Sequence, residues 1–166
     1  MKTNISTLMN LIAEEEKQLA NMTYNIKSLA FTTTIEELDG RVNIIEDNKA
    51  SFDEKLAKIE KIVAELSKLK ALLYEKNNTF KLTDGRTIQQ AIVDNSNLRK
   101  LKTTYEDLLL KRNSKSRVTE VNNSYFECNK INYDLEQIKN KLDKVLEKIQ
   151  RTDFEISKLN SIEFEI

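Results

Sequence analysis

The stretch INYDLEQIKNKLDKVLEKIQRTDFEISKL, residues 131–159, decides the fold. Steps of three and four through it meet Ile131, Leu135, Ile138, Leu142, Val145, Ile149, Thr152, Ile156 and Leu159, with lysine, glutamate and aspartate in the positions between. That spacing puts one apolar stripe on one face of a long α-helix. Nothing in the stretch can break it, because the whole 166-residue chain has two glycines and no proline. A chain of this length would usually hold about twenty of the two together.

Similar stripes lie upstream. Ile5, Leu8, Ile12, Glu15, Leu19, Met22, Ile26 and Leu29 form a heptad seam broken only by Glu15. Phe52, Leu56, Ile59, Val63, Leu66, Lys70 and Leu73 form another, and Ser51 with Glu54 marks its start as a capping box. A looser stripe, Ile88, Ile92, Leu98, Leu101, Tyr105 and Leu108, follows the capping box of Thr87 and Gln90. The expectation is a mainly α protein: one elongated domain spanning 1–166, an antiparallel bundle of about four long helices with coiled-coil character. The helices are predicted at 3–30, 52–77, 88–113 and 130–160. Polar Glu15, Lys49 and Lys70 read as register-setting or seam-edge positions.

The connections are β-prone, at 31–46, 79–86 and 117–126. In the first, Asp39-Gly40 can supply a type I′ turn between β-branched arms. A helical reading competes, because Thr34 and Glu37 form a possible capping box and Ile35, Leu38, Val42 and Ile45 keep heptad spacing. An up-and-down arrangement would let the 117–121 strand extend a 31–46 hairpin into a small capping sheet.

Composition removes several function classes. There is no histidine, the commonest metal ligand and neutral-pH base. A single cysteine, Cys128, excludes an internal disulfide and a thiolate zinc site, and with no histidine beside it Cys128 reads as a bystander. No cofactor, no metal and no enzymatic activity are expected. Lysine plus arginine and aspartate plus glutamate both number 27, so net charge gives no general pull towards nucleic acid or membrane. The apolar patch Leu8 to Ala13 runs straight into Glu14, Glu15 and Glu16, unlike a signal peptide, so the expected compartment is cytoplasmic.

Two places could still hold a ligand or partner. Lys111, Arg112, Lys115 and Arg117 form a basic loop near Tyr125 and Phe126, able to meet phosphates and stack on bases. In Thr83-Asp84-Gly85-Arg86-Thr87, Asp84 and Gly85 make the turn and Thr87 caps a helix. Arg86 is left to pair with a carboxylate or to reach an anion at the helix N-terminus.

Residues 77–92, NNTFKLTDGRTIQQAI, resemble the Asn-rich strand, Asp-Gly-Arg-Thr turn and helix of the septicolysin-like family of small bacterial proteins. Ser114 to Val121 loosely matches that family's loop and short strand, and Leu159 to Ile166 resembles its ending. The resemblance runs from Phe52 to the C-terminus; the first helix shares only general character, and residues 31–51 are longer than the family's linker. The family name implies a cytolysin, and the family defines no catalytic residues to carry over. The leading expectation is a non-enzymatic protein of interaction or self-assembly. The alternatives are a membrane-active, cytolysin-like protein and a weak nucleic-acid or anion binder at 111–117.

Overall fold

The computed structural model describes residues 2–165. Among them lie four α-helices and three antiparallel strand pairs, and the chain divides into two compact units, Met1–Thr79 with Asn160–Ile166 and Phe80–Leu159.

In the first unit β1 (Lys2–Thr3) pairs with β6 (Phe164–Glu165). Asn4 then caps α1 (Ile5–Ile26), its side-chain oxygen accepting the Thr7 N–H at 2.8 Å. This satisfies one of the donors that a helix start leaves unpaired. A 3₁₀ turn at Lys27–Leu29 ends the helix, and β2 (Thr33–Glu36) and β3 (Val42–Glu46) form a hairpin before α2 (Lys49–Thr79). Leu8 and Ile12 of α1 bury against Leu66 of α2, flanked by Leu19, Ile62, Leu69, Leu72, Leu73 and Phe164. Each such side chain contributes about 1.5–3 kcal/mol when fully buried. Glu16 meets Lys70 at 2.6 Å, and Leu29 and Ala30 just past the end of α1 lie beside Lys49 and Phe52 at the start of α2, so the two helices run antiparallel. Glu15 is half-buried on the seam, whereas Lys49 turns outward to Asp53 at 3.1 Å.

The second unit repeats the order of helix, hairpin and helix. A bridge between Lys81 and Thr87 closes the Asp84-Gly85 turn, and α3 (Ile88–Leu110) starts on the Thr87–Gln90 capping box. β4 (Ser114–Glu120) pairs with β5 (Asn123–Asn129) through seven residue pairs, and α4 (Leu135–Asn160) follows. Asn95 near the start of α3 bonds to Asp153 late in α4, so these helices are antiparallel too. On α4, Ile138, Leu142, Val145, Ile149 and Thr152 are buried, in the register that the heptad spacing predicts.

Several expectations change. The 31–46 stretch keeps the hairpin reading and not the helical one: β2 and β3 pair antiparallel, and Gly40 takes φ +84°, outside the helical region. Its turn is not type I′, which requires positive φ at both central residues; among the described residues only the glycines have positive φ. The Gly40 N–H bonds to the Glu37 carbonyl at 2.9 Å and the Glu37 N–H to the Arg41 carbonyl at 2.8 Å. This is a type I turn followed by a left-handed glycine, a common three-residue hairpin loop. The 117–121 strand does not extend this hairpin: β2–β3 and β4–β5 are separate two-stranded sheets. α2 starts at Lys49, since Asp47 accepts the Lys49 N–H at 3.0 Å and Glu54 is occupied by Lys58 at 2.6 Å. α3 ends at Leu110, where Arg112 donates to the Leu109 and Lys111 carbonyls. α1 and α4 are likewise shorter than 3–30 and 130–160, with Asp134 accepting the Glu136 N–H at the start of α4.

The α3 stripe also differs. Ile88, Ala91 and Asn95 are buried, while Ile92 is 43% exposed and Leu101 38% exposed. The small Ala91 and the hydrogen-bonding Asn95 occupy the inward positions, a choice hydrophobicity alone does not signal.

Candidate functional site

The Asp84-Gly85-Arg86 turn lies where the start of α3 meets the last turns of α4. Gly85 takes φ +88°, and the hydrogen bonds from Gly85 to Leu82 and from Leu82 to Arg86 repeat those at Gly40. In both turns the aspartate accepts the arginine's backbone N–H at 3.1 Å with one carboxylate oxygen and its guanidinium Nε with the other. The two Asp-Gly-Arg triplets are therefore one motif used twice.

They differ in surroundings. Arg41 has an exposed side chain and meets Asp39 and Glu37. Arg86 is only 30% exposed and bonds to Asp84 at 2.9 and 2.7 Å, to Asp94 at 2.7 Å and to Thr152 at 3.4 Å. These contacts engage four of the guanidinium's five N–H groups. They raise the Arg86 pKa above its ordinary value, chiefly through Asp84 and then Asp94, and the Arg86 side chain and backbone N–H hold the Asp84 carboxyl below its ordinary value. Arg86 thus ties the turn to α3 and α4 with four of its five donors.

Further ties extend this lattice. Glu155 accepts the Thr83 N–H at 2.9 Å and the Thr83 hydroxyl at 2.7 Å, and these bonds lower its pKa. Asp153 accepts from Asn95 at 2.8 Å and from Arg99 at 2.8 Å. Asn95, Thr152, Asp153 and Glu155 escape the sequence reading, because nothing in their own spacing signals partners 54 to 72 residues away, and so does Asp94, eight residues after its partner Arg86. Beside the lattice runs an open groove of about 730 Å³, floored by Leu98 and Leu101 and rimmed by Lys144, Glu147, Lys148 and Arg151. No group of three or more aspartate, glutamate and cysteine side chains placed to hold a metal ion occurs among the described residues.

The basic 111–117 segment is a loop only at residues 111–113. Lys111 and Arg112 terminate α3, whereas Lys115 and Arg117 stand on β4. Arg117 is paired with Phe126, and Lys115 with Cys128; Lys115 Nζ lies 4.3 Å from the centre of the Phe126 ring. Strand alternation puts Lys115, Arg117, Phe126 and Cys128 on one face and Val118 and Tyr125 on the other. Asn113 accepts the Ile131 N–H and Tyr133 donates to the Leu108 carbonyl, fixing the base of this hairpin.

No family model matches the sequence, and no curated protein matches it. A crystal structure of a functionally unknown conserved protein from Corynebacterium diphtheriae is similar, with a TM-score of 0.64 and 18% identity over 99% of this chain and 100% of that one. At this identity the likeness concerns the fold alone, and it extends over nearly the entire length of both chains.

No helix of the described residues is long and apolar enough to cross a membrane. Large apolar side chains are nevertheless exposed on both hairpins. On the β2–β3 arm these are Phe31 at 76%, Leu38 at 111%, and Ile35, Val42, Ile44 and Ile45 at 52–64%. On the β4–β5 arm they are Val121 at 101%, Phe126 at 59% and Tyr125 at 44%.

Proposed function

We propose that the protein is a non-enzymatic interaction protein, in which antiparallel helical hairpins of coiled-coil character carry β-hairpin tips that dock on a protein partner, a second copy included. The observation that supports this reading is the exposure of every residue of β2 and β3 on a two-stranded ribbon rich in isoleucine and valine. A solitary two-stranded hairpin is marginal in water, and its outer edges offer unpaired N–H and C=O groups. Concentrated apolar exposure of this kind marks a contact surface. The Arg86 lattice supports the non-enzymatic part, since its charged groups are spent on each other.

Sedimentation velocity tests it. The wild type is expected to self-associate at micromolar to sub-millimolar concentration, and the triple variant Ile35→Thr, Val42→Thr, Ile44→Thr to lose that association with unchanged helical content. Because these side chains are already exposed, the substitutions do not open the core. A wild type that stays monomeric throughout, or a variant that associates equally well, contradicts the proposal.

A second reading, membrane activity, draws on the resemblance to the septicolysin-like family and on exposed Phe31 and Leu38. It predicts dye leakage from liposomes, suppressed by Leu38→Asp; intact liposomes at all doses remove it.

A further inference from the structure

The two hairpins carry opposite charge. Residues 31–47 hold Glu36, Glu37, Asp39, Glu46 and Asp47 against Arg41 alone, a net of minus four. Residues 111–130 hold five basic side chains, with Lys115 and Arg117 on one strand face, against Glu120 and Glu127, a net of plus three. A chain neutral overall thus segregates its charge between its two β arms. Both arms expose large apolar side chains beside those charges, and each arm is a two-stranded ribbon with open edges.

The acidic arm has the features of the basic arm's partner, and the reverse holds as well. Glu36 and Glu46 are exposed and have no ion-pair partner among the described residues, and neither have Lys115 and Arg117. Opposite charges guide the encounter and set orientation, while apolar contact and edge pairing hold the complex. Like arms would repel, so identical tips are disfavoured as mutual partners.

We infer that the β2–β3 arm of one copy docks on the β4–β5 arm of a second copy, with strand edges and apolar side chains in contact and charge selecting the unlike arm. This rests on the interaction reading above and specifies its partner and surface. The contact joins two different surfaces and is therefore heterologous.

Charge reversal tests it by sedimentation velocity at about 50 mM and about 500 mM salt, where screening differs strongly. The acidic-arm variant Glu36→Lys, Glu46→Lys and the basic-arm variant Lys115→Glu, Arg117→Glu are both exposed changes; circular dichroism confirms their helices. The wild type is expected to associate at least about tenfold more weakly at the higher salt. Each variant alone is expected to be monomeric. Mixed in equal amounts, the two should associate again, because the unaltered acidic arm of one variant, net minus four, then meets the unaltered basic arm of the other, net plus three. Variants that self-associate like the wild type, or a mixture that stays monomeric while the wild type associates, overturn the arm pairing and leave the broader interaction reading standing. A wild type that never associates overturns both.

Discussion

Asp84 and Glu155 show how single charged groups fix the position of the turn before α3. Each carboxylate is held below its ordinary pKa by hydrogen bonds that exist only in the fold: Asp84 by Arg86, and Glu155 by the backbone and hydroxyl of Thr83. A carboxyl whose folded pKa is lowered adds stability in full above its ordinary pKa and loses it as pH falls through the lowered value. The losses therefore begin near pH 4.5 for Glu155 and 3.8 for Asp84, the ordinary values of these groups. With no histidine, no side chain of ordinary pKa titrates near neutrality. Thermal melting should give a Tm that is flat from about pH 6 to 8 and falls below about pH 4.5, with a shallower fall in Glu155→Gln. A Tm that moves across neutral pH contradicts this assignment. Of this lattice the sequence shows the turn residues and the Thr87 cap. It hides Thr152 and Asp153, because their roles arise only when α3 and α4 lie side by side.

At the scale of elements, the heptad stripes on α1 and α4 were legible because burial of an apolar face follows a 3.6-residue period whatever the surroundings. Helix ends were less legible, since they depend on which side chain reaches the unpaired backbone groups: Asp47 does so rather than Ser51, and Asp134 does so beyond the predicted start at 130. The β4–β5 pairing was half visible. Its first strand signals through Val118, but Asn123–Asn129 carries asparagine, serine and glutamate, and its only notice is Tyr125 and Phe126. The twin Asp-Gly-Arg turns allow a sharp comparison. No neighbouring atom lies within 4 Å of a Cβ built at Gly40 or Gly85, so substitution by alanine costs only the positive φ, about 1–2 kcal/mol. Gly85 sits between buried Leu82 and Ile88 in the second unit, whereas Gly40 sits on a ribbon that is exposed throughout. Gly85→Ala should lower the Tm by about 2–6 °C. Gly40→Ala should leave the Tm within error and instead speed amide exchange over 33–46, because that arm can open locally. Equal Tm losses in the two variants would contradict this separation.

At the scale of the whole molecule, a plan repeats: helix, β-hairpin, helix in each unit, with most of the deep burial on the helices and the turn before α3, and with hairpins whose large apolar side chains are exposed while the helices bury one face and expose others. The arrangement explains the scarcity of glycine, since both glycines serve left-handed turn positions and none interrupts a helix. It also explains why net charge misleads here. A total of zero conceals an acidic arm and a basic arm, and charge becomes informative only when counted by element. The central claim is that partners bind at these β arms and not along the helices. Hydrogen–deuterium exchange of the wild type at low and high protein concentration tests it most directly. Slower exchange over 33–46 and 114–129 at high concentration, reversed by salt, is the predicted result; slowing confined to α1–α4 with both arms unchanged would contradict it.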